Sequence, residues 1–182
     1  MTSPVIQTVQ LTKDHVSHFL RKRFRALDGL NLSVGQGETF GLLGLNGAGK
    51  TTTLKLLLGL LRPTSGSVSV MGYPAGDRRA LANVGFLPEN PYFYSYLTGM
   101  EFLDFAGDIF GLERQVRRER ALELLKLVSM TGAANTPIRK YSKGMMQRLG
   151  IAQSLINDPQ MIFWELHSKT GRIKLAIQWN TE

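Results

Sequence analysis

Eight residues, Gly44-Leu45-Asn46-Gly47-Ala48-Gly49-Lys50-Thr51, constrain this chain more than any others, because they satisfy the pattern G-x-x-x-x-G-K-[ST] in full. A loop whose successive backbone N–H groups point inward needs unusual φ values and no Cβ between backbone and ligand, and glycine supplies both. Those amides and the positive end of the helix that follows make a fixed anion site. Lys50 is then expected to reach the β and γ phosphates of ATP, the Thr51 hydroxyl to ligate Mg²⁺, and the Thr52 hydroxyl to donate to a phosphate oxygen. The candidate nucleotide-binding set is Gly44, Asn46, Gly47, Ala48, Gly49, Lys50, Thr51 and Thr52.

Such a loop requires a strand before it and a helix after it, and the flanking pattern provides both. Residues 39–43 form a short apolar run of the kind found in a buried parallel strand, and 51–61 is a leucine-rich helical pattern that stops before Pro63. Upstream, 5–11 alternates as a strand, 14–25 is a basic excursion read as a loop or short helix, and 26–34 reads as a second edge strand before a turn at 35–38. Downstream, 67–70 and 84–87 read as short strands. From 98 to 128 the pattern turns helical, with Phe102, Phe105, Ile109 and Leu112 on one side, then Leu122, Leu125 and Val128. A further helix is expected over 142–156 and an apolar strand over 160–164; residues 166–182 receive no element. The expected class is α/β: a P-loop NTPase with a mainly parallel core sheet, an N-terminal antiparallel β portion and an inserted helical subdomain. Its expected divisions are 1–88, the ATP-binding core with the antiparallel β portion and the glycine-rich loop; 89–150, the helical subdomain; and 151–182, a return to the core followed by the unassigned stretch.

Composition narrows the classes further. At 182 residues, 43% of them apolar and 20% charged, the chain suits one domain with or without a small subdomain. The lack of cysteine excludes disulfide scaffolds and thiolate metal sites. No apolar run approaches the ~18 to 20 residues that span a bilayer, and residues 1–10 lack the basic start and apolar core of a secretory leader. The net charge of +8 draws on Arg21, Lys22, Arg23 and Arg25 and on 114–120. Phosphates, nucleic acid or an anionic membrane face would suit that charge, but solvated helix and loop faces are the favoured account of it.

At this point the residues carry a resemblance. The run from Phe40 to Thr52, preceded by Ala26-Leu27-Asp28-Gly29-Leu30 and Gly37-Glu38 and followed by Pro63-Thr64-Ser65-Gly66, resembles the Walker A region of ABC-type ATPases, in particular bacterial ABC transporter ATP-binding subunits. Tyr141-Ser142-Lys143-Gly144-Met145-Met146-Gln147-Arg148 resembles the family signature L-S-G-G-Q at a helix start, with Tyr141, Lys143 and Met145 departing from it. That resemblance implies that Ser142 and Gly144 face the γ-phosphate of a nucleotide held by a second ATP-binding subunit, in a head-to-tail dimer enclosing two ATP molecules. Glu89 stands where the family usually has a glutamine, as a candidate Mg²⁺ ligand or water-orienting group. The family also stacks adenine on an aromatic residue of its first loop, for which His15, Phe19 and Phe24 all remain open.

The resemblance weakens after Phe163. Where the family has Asp-Glu-Pro after its apolar strand, this chain has Trp164-Glu165-Leu166-His167, so one carboxylate, Glu165, is the candidate catalytic group and its register is ambiguous. No later switch histidine follows, so the resemblance implies that the C-terminal part of the core is missing and that 151–182 is an incomplete return to the core with a disordered or aberrant tail. A slipped reading frame would account for this: loss of one base within codons for 169–174 reads Lys-Leu-Asp-Gly-Leu, which with Ser168 resembles the family's S-x-L-D loop. The leading expectation is an ATP-binding, exporter-type transporter subunit, cytoplasmic and peripheral at the inner membrane face, docked on membrane-spanning subunits through its helical block. Alternatives are an inert nucleotide-binding fragment of a damaged gene and an ABC-type ATPase acting on nucleic acid or ribosomes. The chain lacks the second motif copy or coiled-coil insertion usual in the last class, so nucleic acid is not expected as a partner.

Overall fold

The computed structural model describes residues 3–16, 23–166 and 174–179, the last strand by its backbone. The elements in chain order are β1 (Ile6–Val16), β2 (Arg23–Val34), β3 (Phe40–Leu42), α1 (Lys50–Leu57), β4 (Ser65–Val70), β5 (Tyr73–Pro74), α2 (Arg78–Leu81), β6 (Val84–Leu87), α3 (Gly99–Ile109), α4 (Arg114–Leu127), α5 (Lys143–Ser154), β7 (Met161–Leu166) and β8 (Lys174–Trp179), with 3₁₀ turns at Thr131–Ala133 and Ile138–Lys140. They divide into two units, one drawn from Met1–Leu81 and Phe163–Glu182, the other from Ala82–Ile162. No described helix is long and apolar enough to cross a membrane.

In the first unit, an antiparallel sheet runs in the order β2-β1-β4-β5. Its core-facing side chains include Ile6, Leu11 and Val34, none with any exposed surface. The basic excursion at 14–25 is neither loop nor helix where it is described. Asp14 pairs with Arg25, His15 with Phe24 and Val16 with Arg23, which makes these residues the outer ends of one hairpin. Cross-strand charge explains why: Arg25 Nε reaches Asp14 Oδ1 at 2.9 Å, and opposite charges facing each other across a ladder stabilise it. The guanidinium holds the Asp14 carboxyl below its ordinary value. A run of like-charged residues conceals this pairing, because the partner lies on the neighbouring strand.

Helix α1 ends at Leu57, short of the 61 expected from periodicity. The amides of Leu58, Gly59 and Leu60 turn back to the carbonyls of Leu54, Leu56 and Lys55, the pattern of a Schellman stop. A second sheet begins with β3, beside which β8 runs antiparallel, Phe40 facing Ile177 and Leu42 facing Leu175, with β7 on its far side. Strand β8 falls in the stretch to which the sequence assigned no element.

The second unit is helical. Phe102, Leu103, Leu124, Leu125, Leu149 and Ile156 lie in one buried cluster, and Phe93 meets Phe102 edge-on with ring centroids 5.0 Å apart. Thr98 starts α3 with a capping box: its hydroxyl accepts from the Glu101 amide at 3.2 Å, and the Glu101 carboxylate accepts from the Thr98 amide at 2.8 Å. The expected single stretch 98–128 is broken at Phe110 to Glu113, between α3 and α4. The buried face of α3 is Phe102, Leu103 and Ala106, while Phe105 and Ile109 are 41% and 70% exposed. Arg117 of α4 binds Asp104 at 2.9 Å and also Asp108, which ties α4 to α3. The Asn157 side-chain amide donates to the carbonyls of Ala82 and Val84 at 2.9 and 3.2 Å, setting β6 beside the start of β7.

Candidate functional site

The loop between β3 and α1 is built by two turns of backbone that only glycine adopts readily. Gly47 and Gly49 both have φ of +83, in the left-handed region where a Cβ collides with the neighbouring carbonyl. Past them, the Thr53 amide and hydroxyl both donate to the Gly49 carbonyl, at 2.8 and 3.0 Å, and begin the helix. Lys50 is 5% exposed. Its ammonium donates to the Gly44 carbonyl at 2.8 Å and to the Leu45 carbonyl, so the loop's own oxygens satisfy the cation. A buried lysine requires such partners, because an unpaired charge away from water is expensive.

One contact joins this loop to the far end of the chain: the Thr51 hydroxyl donates to Glu165 Oε1 at 2.8 Å, across 114 residues of sequence. Strand β7 thus brings the Glu165 carboxylate to the first turn of α1. Leu166 is the next residue. Two hard oxygen donors this close fit a small divalent cation such as Mg²⁺, which takes one or two protein oxygens and completes its shell with waters and phosphate. Among the described residues no group of three or more His, Cys, Asp or Glu side chains is placed to hold a metal by protein ligands alone.

An open cleft of about 310 Å³ runs beside the loop. Asn46, Gly47, Gly49, Lys50, Thr51 and Thr52 line one wall, and His15, Phe24 and Ala26 the other. His15 and Phe24 are cross-strand neighbours, and the Phe24 ring is 63% exposed. Two of the three adenine candidates thus border the loop; Phe19 lies outside the described residues. Gly44 contributes its carbonyl to Lys50, and Ala48 closes a turn by donating its amide to the Leu45 carbonyl at 3.2 Å.

The remaining candidates belong to the second unit. Ser142 caps α5, its hydroxyl accepting from the Met145 amide at 3.2 Å, and Ser142, Lys143 and Gly144 are all exposed. Glu89 follows β6 and is half-buried.

The family model of the ABC transporter matches residues 27–165. The chain belongs to that family. It is 52% identical over 89% of its length to an uncharacterized ABC transporter ATP-binding protein of Nostoc sp., and 37% identical over 88% to the bacitracin transport ATP-binding protein BcrA of Bacillus licheniformis. It spans 49% and 50% of those two relatives, about half their length. Among solved structures, it is similar to the dimeric post-hydrolysis ATP-binding cassette MJ0796 bound to ADP and Pi, with a TM-score of 0.73 and 26% identity over 91% of this chain and 78% of that one. The fold is therefore the α/β P-loop NTPase fold of ABC ATP-binding domains, and ATP is the nucleotide such domains bind.

Proposed function

We propose that this chain forms the nucleotide-holding part of an ABC transporter ATP-binding subunit that takes Mg·ATP in the cleft beside 44–51. The observation that carries the reading is the meeting of Lys50, Thr51 and Glu165 at the start of α1, with Thr51 and Glu165 oxygens 2.8 Å apart. Backbone amides from Asn46 to Thr52 cradle the phosphates, and Lys50 leaves the loop carbonyls to pair with phosphate oxygens. The Thr51 hydroxyl and Glu165 carboxylate hold Mg²⁺, directly or through water, and Glu89 is a further proposed carboxylate on the family resemblance. When bound, Mg²⁺ neutralises the charge of the phosphates. Phe24 or His15 supports the base.

Glu165 is engaged on the metal side, and the next residue, Leu166, has no proton-accepting group. We therefore propose binding with slow hydrolysis: loss of a water-activating carboxylate typically costs ~10²-fold or more. Ser142 and Gly144 are proposed contacts to the nucleotide of a second copy, head to tail. The membrane-spanning subunits are proposed to dock on the exposed aromatic face of the helical unit, where Tyr94 lies 6.0 Å from Tyr96 and 5.6 Å from Phe105 between ring centroids. Clustered exposed aromatic side chains are the signature of an interface. Such docking places the chain peripherally at the inner membrane face.

Titration with a fluorescent ATP analogue tests the core of this reading. Mg²⁺ tightens binding in the wild type, and Thr51→Val removes that increment. Equal affinity for wild type and variant at every Mg²⁺ concentration contradicts it.

A further inference from the structure

The residue just before the Ser142 cap is a buried tyrosine whose hydroxyl ties three segments of the second unit together. Tyr141 is 7% exposed, and its hydroxyl donates to the Ala133 carbonyl at 2.7 Å. A Cβ added to Gly99, the first residue of α3, would stand 2.5 Å from the same oxygen. Around this phenol the Met100 amide donates to the Ala134 carbonyl at 3.0 Å, and Thr98 bridges Pro137. The start of α3, the turn at Thr131–Ala133 and the start of α5 therefore converge on one hydroxyl. Burial holds the phenol above its ordinary 10.0, so it stays a donor at neutral pH.

The chain passes from this buried anchor to an exposed cap in one residue. Filling the space needs only an apolar side chain of suitable size. A hydrogen bond adds direction, since it weakens steeply when the donor angle closes. With the phenol held at both ring and hydroxyl, the backbone leaving it enters α5 in a fixed direction.

We propose that Tyr141 is a positioning residue whose hydroxyl sets the direction in which Ser142 and Gly144 face the nucleotide of a second copy. The inference rests on the head-to-tail reading above. It also concerns a residue that departs from the leucine of the family signature.

The test uses Tyr141→Phe, which keeps the ring and deletes the hydroxyl, and Gly99→Ala, which pushes the hydroxyl from its place. Three quantities are read on the full chain: affinity for a fluorescent ATP analogue, ATP-driven dimerisation by sedimentation, and hydrogen exchange at the Met145 and Met146 amides. Both variants are expected to keep the analogue affinity within about twofold while first-turn exchange rises and dimer affinity falls about two- to tenfold, the range for one lost hydrogen bond. In the Tyr141→Phe background, Gly99→Ala adds little, because the atom it displaces is gone. Unchanged exchange in Tyr141→Phe overturns the proposal, and so does faster exchange with unchanged dimer affinity. A wild type that fails to dimerise with ATP overturns the head-to-tail reading and, with it, the orientation toward a second nucleotide. The exchange measurement then still shows whether the hydroxyl orders α5.

Discussion

Gly47 and Gly49 share the same backbone φ of +83 but not the same surroundings, so alanine at each separates two costs. At Gly47 a Cβ meets nothing within 4 Å. Gly47→Ala therefore carries only the left-handed penalty of an L-residue, about 1–2 kcal/mol. At Gly49 the Cβ would stand 2.5 Å from the Ala26 carbonyl oxygen and 3.4 Å from Leu27 Cδ1. The first is backbone of β2 and cannot swing aside, so the loop or the strand must move. Overpacking of this kind adds about 1–3 kcal/mol, which places Gly49→Ala at about 2–5 kcal/mol in total. Urea unfolding of the two variants measures both, provided the slope m is unchanged so that the midpoints compare directly. Gly49→Ala also widens the gap between β2 and the loop, so its loss of ATP affinity should follow its loss of stability. Equal destabilisation of the two variants to within about 0.5 kcal/mol would refute the account of the loop as braced against β2.

Thr98→Ala removes the hydroxyl arm of the α3 capping box, leaving the backbone amide at 98 to donate to Glu101, and should cost about 1 kcal/mol, read as a fall in Tm of about 2–4 °C; an unchanged melt contradicts the role given to that cap. Arg79 draws the Asp77 carboxyl down to about 2 from its ordinary 3.8. Between those values the unfolded chain binds more protons than the folded one, so this contribution is complete above about pH 4 and fades as pH falls through 2. Asp77→Asn should flatten that part of an acid-unfolding curve, and a variant curve that parallels the wild type there contradicts the pairing.

The phosphate loop was legible because its chemistry admits few residues: glycine for the φ values, lysine for charge, threonine for a metal-side hydroxyl. The helices at 98–128 and 142–156 were legible from periodicity, but the faces of α3 were not. Phe102, Leu103, Phe105, Ala106 and Ile109 form two overlapping apolar stripes, and only the packing of α4 and α5 selects the one containing Phe102, Leu103 and Ala106. The outer hairpin at 14–16 and 23–25 escaped notice because Asp14 and Arg25 read as loop charges until they face each other. Strand β8 went unassigned although Leu175, Ile177 and Trp179 alternate with Lys174, Ala176 and Gln178, because so short a pattern says little alone and its partner β3 lies far away in the sequence. The link from Thr51 to Glu165 spans 114 residues, a separation at which spacing carries no information. Motif order hinted at such a link, and geometry supplied it.

Everything functional depends on a triphosphate being gripped between residues 44 and 51. Calorimetric titration of Mg·ATP into the folded chain, alongside Lys50→Ala, tests this most directly. Saturable one-to-one binding by the wild type, weakened at least about tenfold in the variant, is the predicted result. A cooperatively folded wild type that shows no heat of binding, or a variant that binds as tightly as the wild type, would contradict it.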